Sequence, residues 1–437
     1  MSVPRTRLPA LAASALLAAL ASLPILAGCA AARDTTGARE SAPKIAATKP
    51  ITSASAPRPD VPSEPPAVPA GLLARCKAAA EYSRRNDGHV MLVMLDGRLV
   101  FADAAPGHAV DAPHLLASGT KSFAGTAAML AVADGLLSLD ERVSDTIDEW
   151  KGDPRKSKVT VRQLLTLSAG IEPLSSTVGT VAGARAAGVR DRAATSIAAR
   201  SVAPPGERFL YGPSSFYVFG ELLSRKLEAA GTGDADAVAY LERRLFRALG
   251  IRPSFFRDDA GNPNLAGGCR ISAIEWARFG ELIRNGGTLD GQTLLAPELV
   301  GELGRASGAN PRYGLTWWLI HSDSDTGGDE AEQELALALA ADRLEESRRP
   351  AGRRMAERLR ERANESMEAV ASSEPLGVVA AGKGKQKLYV LPQRGMTVVR
   401  FGDVNGSRGF RNEEFLRILL GSTDGTTGAG DVPGTRW

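Results

Sequence analysis

The order of predicted elements specifies an α+β fold: an antiparallel sheet built from both chain ends and flanked by helices, with an all-helical lobe inserted into it. Three observations lead there. Two apolar runs within residues 89–103, V-M-L-V-M-L and R-L-V-F-A, flank Asp96-Gly97, a dipeptide favoured in tight hairpin turns. Helix-periodic sequence dominates the middle of the chain. Three short strand-like runs, 376–381, 387–391 and 396–401, then follow near the other end, separated by a turn at 392–395 and closed by a helix over 412–420. The late strands must reach back to the first hairpin across the helical middle.

With 437 residues, 43% of them hydrophobic, the chain can bury a large core. Its 53 basic and 50 acidic side chains nearly cancel, and no basic patch is interleaved with aromatics. No nucleic-acid partner is expected. His89, His108, His114 and His321 show no metal-binding spacing, and the three cysteines form no C-x-x-C pair, so no metal or other cofactor is expected.

In chain order, Arg5 and Arg7 precede an apolar run over 8–26 that closes with Leu26-Ala27-Gly28-Cys29. A charged start and an apolar run are the first two parts of a secretory signal. The closing four residues resemble a bacterial lipobox, whose cysteine becomes the lipidated N-terminus. Residues 1–29 therefore read as a lipoprotein signal peptide with Cys29 as the lipid site; an ordinary cleaved signal and an uncleaved anchor are the alternatives. No other run approaches the ~20 apolar residues a membrane helix needs. Residues 30–70 carry eight prolines among alanines, serines and threonines, which cannot bury a core. They read as a disordered tether that holds the 71–437 domain on the order of 100 Å from the membrane. The domain would face the periplasm or the cell exterior. There Cys76 and Cys269 read as two buried thiols or as a disulfide.

Residues 71–85 have helical periodicity, and the hairpin follows. Leu116-Ala117-Ser118-Gly119-Thr120-Lys121-Ser122-Phe123 is a polar step leading into an apolar helical stretch over 124–137. In a helix begun near Ser118, residues three apart share a face, so the Ser118 hydroxyl and the Lys121 amine lie side by side. A lysine kept neutral by burial can take the serine proton and activate the hydroxyl as a nucleophile. Alone, the pattern reads more simply as a serine N-cap followed by a solvated lysine.

The segments that follow decide between these. Asp134-Gly135-Leu136-Leu137-Ser138-Leu139-Asp140-Glu141-Arg142-Val143 and Val159-Thr160-Val161-Arg162-Gln163-Leu164-Leu165 come next. Pro204-Pro205-Gly206-Glu207-Arg208-Phe209-Leu210-Tyr211, Leu265-Ala266-Gly267-Gly268 with Trp276-Ala277-Arg278-Phe279, and Tyr313-Gly314-Leu315-Thr316-Trp317-Trp318 complete the set. In this order, behind an S-x-x-K helix, they resemble the serine β-lactamase-like superfamily of class C β-lactamases, penicillin-binding D-alanyl-D-alanine peptidases, and related esterases and amide hydrolases. The likeness spans about 85–420, apart from an insertion at about 323–374 with 14 acidic and 8 basic residues. Met355, Leu359, Ala363, Met367 and Val370 recur there at helical spacing, so the insertion reads as amphipathic helices that pack on the domain or form a lid or docking arm.

The resemblance implies the same fold, with a helical lobe over about 120–310 and the site between lobe and sheet. It implies acyl transfer on Ser118, with Lys121 as base or electrostatic activator and Tyr211 as proton relay. The Ser118 N–H, at a helix start, would be one oxyanion donor. Two positions depart from the family pattern. Pro213 stands where an asparagine often follows the tyrosine, and Gly382-Lys383-Gly384-Lys385-Gln386 replaces a K-T-G or H-x-G element. Glycines there permit close backbone approach, which makes Gly382, Gly384 and Lys385 substrate-binding candidates, with an N–H near Lys385 as second oxyanion donor. The resemblance implies a small-molecule or peptide-like ester or amide substrate, and these departures favour hydrolysis of an ester or simple amide over β-lactam turnover or peptide hydrolysis. The G-x-S-x-G elbow of α/β-hydrolases is absent, which disfavours a Ser-His-Asp enzyme. The other reading is a catalytically silent lipoprotein of this fold that binds cell-wall fragments or a protein partner.

Overall fold

The structure is a computed structural model that describes residues 68–321, 374–407 and 409–421. The expected signal peptide, nearly all of the expected tether, and the expected insertion apart from Glu374 lie outside the described residues.

Leu72, Cys76, Ala79, Ala80 and Ser83 form the buried stripe of α1 (Leu72–Arg85). The hairpin β1 (Gly88–Leu95) and β2 (Arg98–Ala104) turns at Asp96-Gly97, as its sequence predicts. β3 (His114–Leu115) then leads into the central helix α2 (Lys121–Ala133). Further on come α3 (Ser214–Ala229), β4 (Ser254–Phe255), β5 (Cys269–Ile271), α4 (Ala273–Arg284), β6 (Thr288–Leu289), β7 (Gln292–Thr293) and β8 (Trp318–Ile320). β9 (Gly377–Gly382), β10 (Gln386–Leu391), β11 (Met396–Gly402) and α5 (Asn412–Leu420) close the described chain.

The main sheet has the order β2-β1-β11-β10-β9-β8 and is antiparallel at every junction. The last strand pairs with the first, so the sheet cannot form until both ends of the domain are present. Every residue of β8 to β11 is buried. Neighbouring residues in a strand face opposite ways, and both sides are covered: Leu388 lies under Gly280 of α4, whereas the Tyr389 ring stacks on Phe415 of α5. The start of α4 is fixed by a reciprocal capping box between Ser272 and Glu275.

The lobe expected to be all-helical also holds short strands. β3, β5 and β4 form a small sheet, and β6 pairs with β7. The central helix is shorter than its apolar run suggests: its first turn, Ala117–Thr120, is a 3₁₀ turn, and it ends at Ala133 before Asp134-Gly135, where Gly135 takes φ +69. Nearly every α2 residue is buried, which marks a core helix and not an amphipathic surface one. Its small side chains, Ala124, Ala127, Ala128 and Ala131, let neighbours pack close.

Cys76 and Cys269 are both buried and free. Three histidines that look scattered in sequence converge where β3 meets the end of β11. The His89 ring stacks on His108 at 3.7 Å and meets the edge of His114 at 5.4 Å. Burial and mutual repulsion hold the His89 and His114 imidazoles below their ordinary pKa. Among the described residues no helix is long and apolar enough to cross a membrane.

Candidate active site

The turn that carries Ser118 is built from the small sheet upward. β3 pairs with β5 through His114↔Ile271 and Leu115↔Arg270, and the Leu116 N–H donates to Cys269 O (2.9 Å). The chain then bends at Ala117, which takes φ +46, a left-handed conformation unfavourable for a residue with a side chain. Neighbours hold the bend. Thr120 Oγ1 donates to Ala117 O (2.7 Å) and accepts from Cys269 N (3.0 Å), and the Gly119 N–H returns to Leu116 O (3.0 Å). Ser118, half-buried at this bend, faces the start of α2.

Lys121 opens that helix with only 4% of its surface exposed. Its Nζ donates to Ser118 Oγ at 3.0 Å and to Ala266 O at 2.6 Å, and sits 5.0 Å from the Tyr211 ring centroid and 5.2 Å from that of Phe216. Burial lowers its pKa from 10.5 to about 7, with no carboxylate offsetting the loss of hydration. A neutral amine has two N–H bonds and one lone pair. With one hydrogen committed to the Ala266 carbonyl, the lone pair is available to the serine.

Tyr211 joins the pair from the loop before α3. Its ring stacks on Trp318 of β8 (5.7 Å, 27° between planes) and meets Tyr313 edge-on at 6.5 Å, so it sits where the helical lobe meets the main sheet. Pro213 ends the same loop at the N-terminal cap of α3 and presents no side-chain hydrogen-bond donor.

The β9–β10 turn supplies the third side. A Cβ on Gly382 would stand 2.0 Å from Leu116 O and 3.0 Å from Gly119 N, so only glycine lets the strand end lie flat on the turn that carries Ser118. Gly384 lies instead against the Asp403-Val404 backbone at φ +80, and half-buried Lys385 follows at φ +57. Gly382 is thus the member of the trio beside Ser118.

Ser118, Lys121, Tyr211 and Gly382, spread over 265 positions of sequence, come together here. Sequence reasoning missed the Ala266 carbonyl. The Ala266-Gly267-Gly268 segment carries a family resemblance, but a backbone acceptor has no side-chain signature. Asn264 fixes that carbonyl by accepting from Ala266 N (3.1 Å) and Gly267 N (2.9 Å). A cavity of about 470 Å³ lined by Arg162, Glu302 and neighbours includes none of these site residues.

Comparison with known proteins agrees with this fold. A sequence model of the Beta-lactamase family matches residues 73–420. The chain belongs to the Beta-lactamase family. No curated protein matches its sequence. Among solved structures it is similar to a putative 6-aminohexanoate-dimer hydrolase from Bacillus anthracis, at 17% identity and TM-score 0.54 over 78% of this chain and 79% of that one. It is similar to EstCE1, a hydrolase with promiscuous acyltransferase activity, at 16% identity and TM-score 0.55 over 80% and 99%. It is also similar to an octameric penicillin-binding protein homologue from Pyrococcus abyssi, at 19% identity and TM-score 0.54 over 80% and 77%. These likenesses establish a Beta-lactamase family fold.

An amine can accept a proton only in its neutral form. The rate at which an activated ester acylates the protein should therefore rise with pH and level off above an apparent pKa near 7. Stopped-flow acylation between pH 5.5 and 9 checks this.

Proposed function

We propose that this chain is a serine hydrolase that acts on an ester or simple amide through an acyl-enzyme on Ser118. The observation that carries the reading is the 3.0 Å contact between Ser118 Oγ and an amine whose pKa burial has lowered to about 7. Lys121 takes the hydroxyl proton as Oγ attacks the substrate carbonyl, and a tetrahedral oxyanion forms. The Ser118 N–H and a backbone donor at the Gly382 strand end receive that charge. The proton passes by way of Tyr211 to the leaving alcohol or amine, whose bond to the acyl carbon breaks. Water then attacks the ester on Ser118 and gives up a proton, which passes by way of Lys121 and Tyr211 to Oγ as the acyl–Oγ bond breaks and the acid leaves. Pro213 beside Tyr211 leaves the acyl chain without a side-chain amide contact at that position, which supports simple esters and amides over β-lactams.

Incubation with a fluorophosphonate, an activated ester and a fluorescent penicillin should add one mass increment to the intact protein with the first two reagents. Ser118→Ala should abolish the adduct, and Lys121→Ala should slow its formation about 10²–10⁴-fold. Labelling that persists in Ser118→Ala contradicts the reading.

The N-terminal sequence supports a location for this activity: Cys29 carries lipid, and the domain works in the cell envelope at the end of a proline-rich tether. Metabolic labelling with a palmitate analogue should tag the chain, and Cys29→Ser should remove the tag and release the protein to the soluble fraction. A tag retained in Cys29→Ser would refute the anchor.

A further inference from the structure

The turn that brings Gly382 to the nucleophile is held from behind by two buried side chains with no part in the chemistry above. Gln386 opens β10 and is wholly buried. Its Nε2 donates to Gly402 O (2.7 Å), and the Gly402 N–H donates back to its Oε1 (3.0 Å). The side chain thus makes the two bonds of a ladder partner where the β10–β11 pairing stops, at Lys387↔Arg400. The same Nε2 reaches Lys383 O (3.2 Å) and Gly384 O (3.4 Å).

Arg400, also wholly buried, completes the hold. Its Nη1 donates to Gly384 O (3.2 Å) and Lys385 O (2.9 Å), its Nη2 to Asn86 O (2.8 Å), and its Nε to Ser83 Oγ (2.9 Å). With the carbonyls of residues 383 to 385 bound by side chains, the backbone can leave strand geometry and take the left-handed turn at Gly384 and Lys385. The hold also reaches the nucleophile strand, because His114 Nε2 of β3 lies 3.0 Å from the same Gly402 carbonyl. Buried polar networks with their bonds made fix one geometry.

We propose that Gln386 and Arg400 are positioning residues for acyl transfer, fixing the 382–385 turn against the 116–119 nucleophile turn so that the strand end faces the developing oxyanion. This rests on the reading of Ser118 as nucleophile. Oxyanion stabilisation depends on donors placed in advance, and a shift of about 1 Å from a change outside the chemistry can cost on the order of 10²-fold in rate.

The test compares Gln386→Met, which keeps length and removes both hydrogen-bonding atoms, with Ser83→Ala, which removes an Arg400 bond on the side away from the turn. The full chain in detergent is assayed with p-nitrophenyl butyrate for acylation rate, KM and Tm. Both variants should lose Tm. Only Gln386→Met should lose acylation rate, by about 10- to 100-fold, with KM within about twofold. Its pH profile should still be centred near 7, since Lys121 is untouched. An acylation rate within about twofold of the parent, or an equal loss in Ser83→Ala, overturns the proposal. If Gln386→Met does not fold, Gln386→Asn takes its place under the same criteria, because its shorter amide cannot span both strands. If the parent carries no label at Ser118, the nucleophile reading fails and this inference fails with it; if the parent labels normally and only the variant contrast is missing, the inference alone fails.

Discussion

The site depends on removing one amine from water. A lysine at the surface holds its proton far above neutral pH and can only screen charge; the same amine enclosed by α2, Phe216, Tyr211 and the Ala266 carbonyl loses hydration that no carboxylate replaces. Desolvation penalises the ammonium form alone, so the proton affinity falls until the amine can serve as a base near pH 7. Burying a group that prefers to be charged destabilises the fold, and the dense packing of α2 in the core is what sustains it.

Two sheets of different size locate Ser118 and Gly382. The main sheet, closed by pairing the first strand with the last, carries Gly382 and Trp318, while the small β3–β5 pairing aims the bend at Ala117. Ser118 therefore lies where the lobe and the sheet meet, and each contributes backbone as well as side chains. The strained φ at Ala117 is tolerated because Thr120 and Cys269 bind the turn from both sides.

Much of this was legible in sequence, for physical reasons that differ by element. The hairpin at Asp96-Gly97 and the three late strands announce themselves by turn chemistry and short apolar runs, and the structure places them within a residue or two of expectation. The three-residue spacing of Ser118 and Lys121 allowed them to be helical neighbours, but only the ordered family segments favoured that reading over a serine cap and a solvated lysine. The short strands β4 to β7 were not, since two- or three-residue pairings leave too few positions for a period to show. The histidine cluster and the Ala266 carbonyl were hidden for a further reason: one is assembled by long-range folding and the other is main chain, so neither leaves a local spacing. Family resemblance supplied Tyr211, whose place beside Lys121 no periodicity could have indicated.

The central claim is that Lys121 is neutral near physiological pH because it is buried. Carbon-13 NMR of protein labelled at lysine Cε, with Lys121 assigned by its loss in Lys121→Arg, reads that amine directly across a pH titration. The account predicts that Lys121 titrates near 7. A Lys121 signal that titrates near 10.5 with the surface lysines would contradict it.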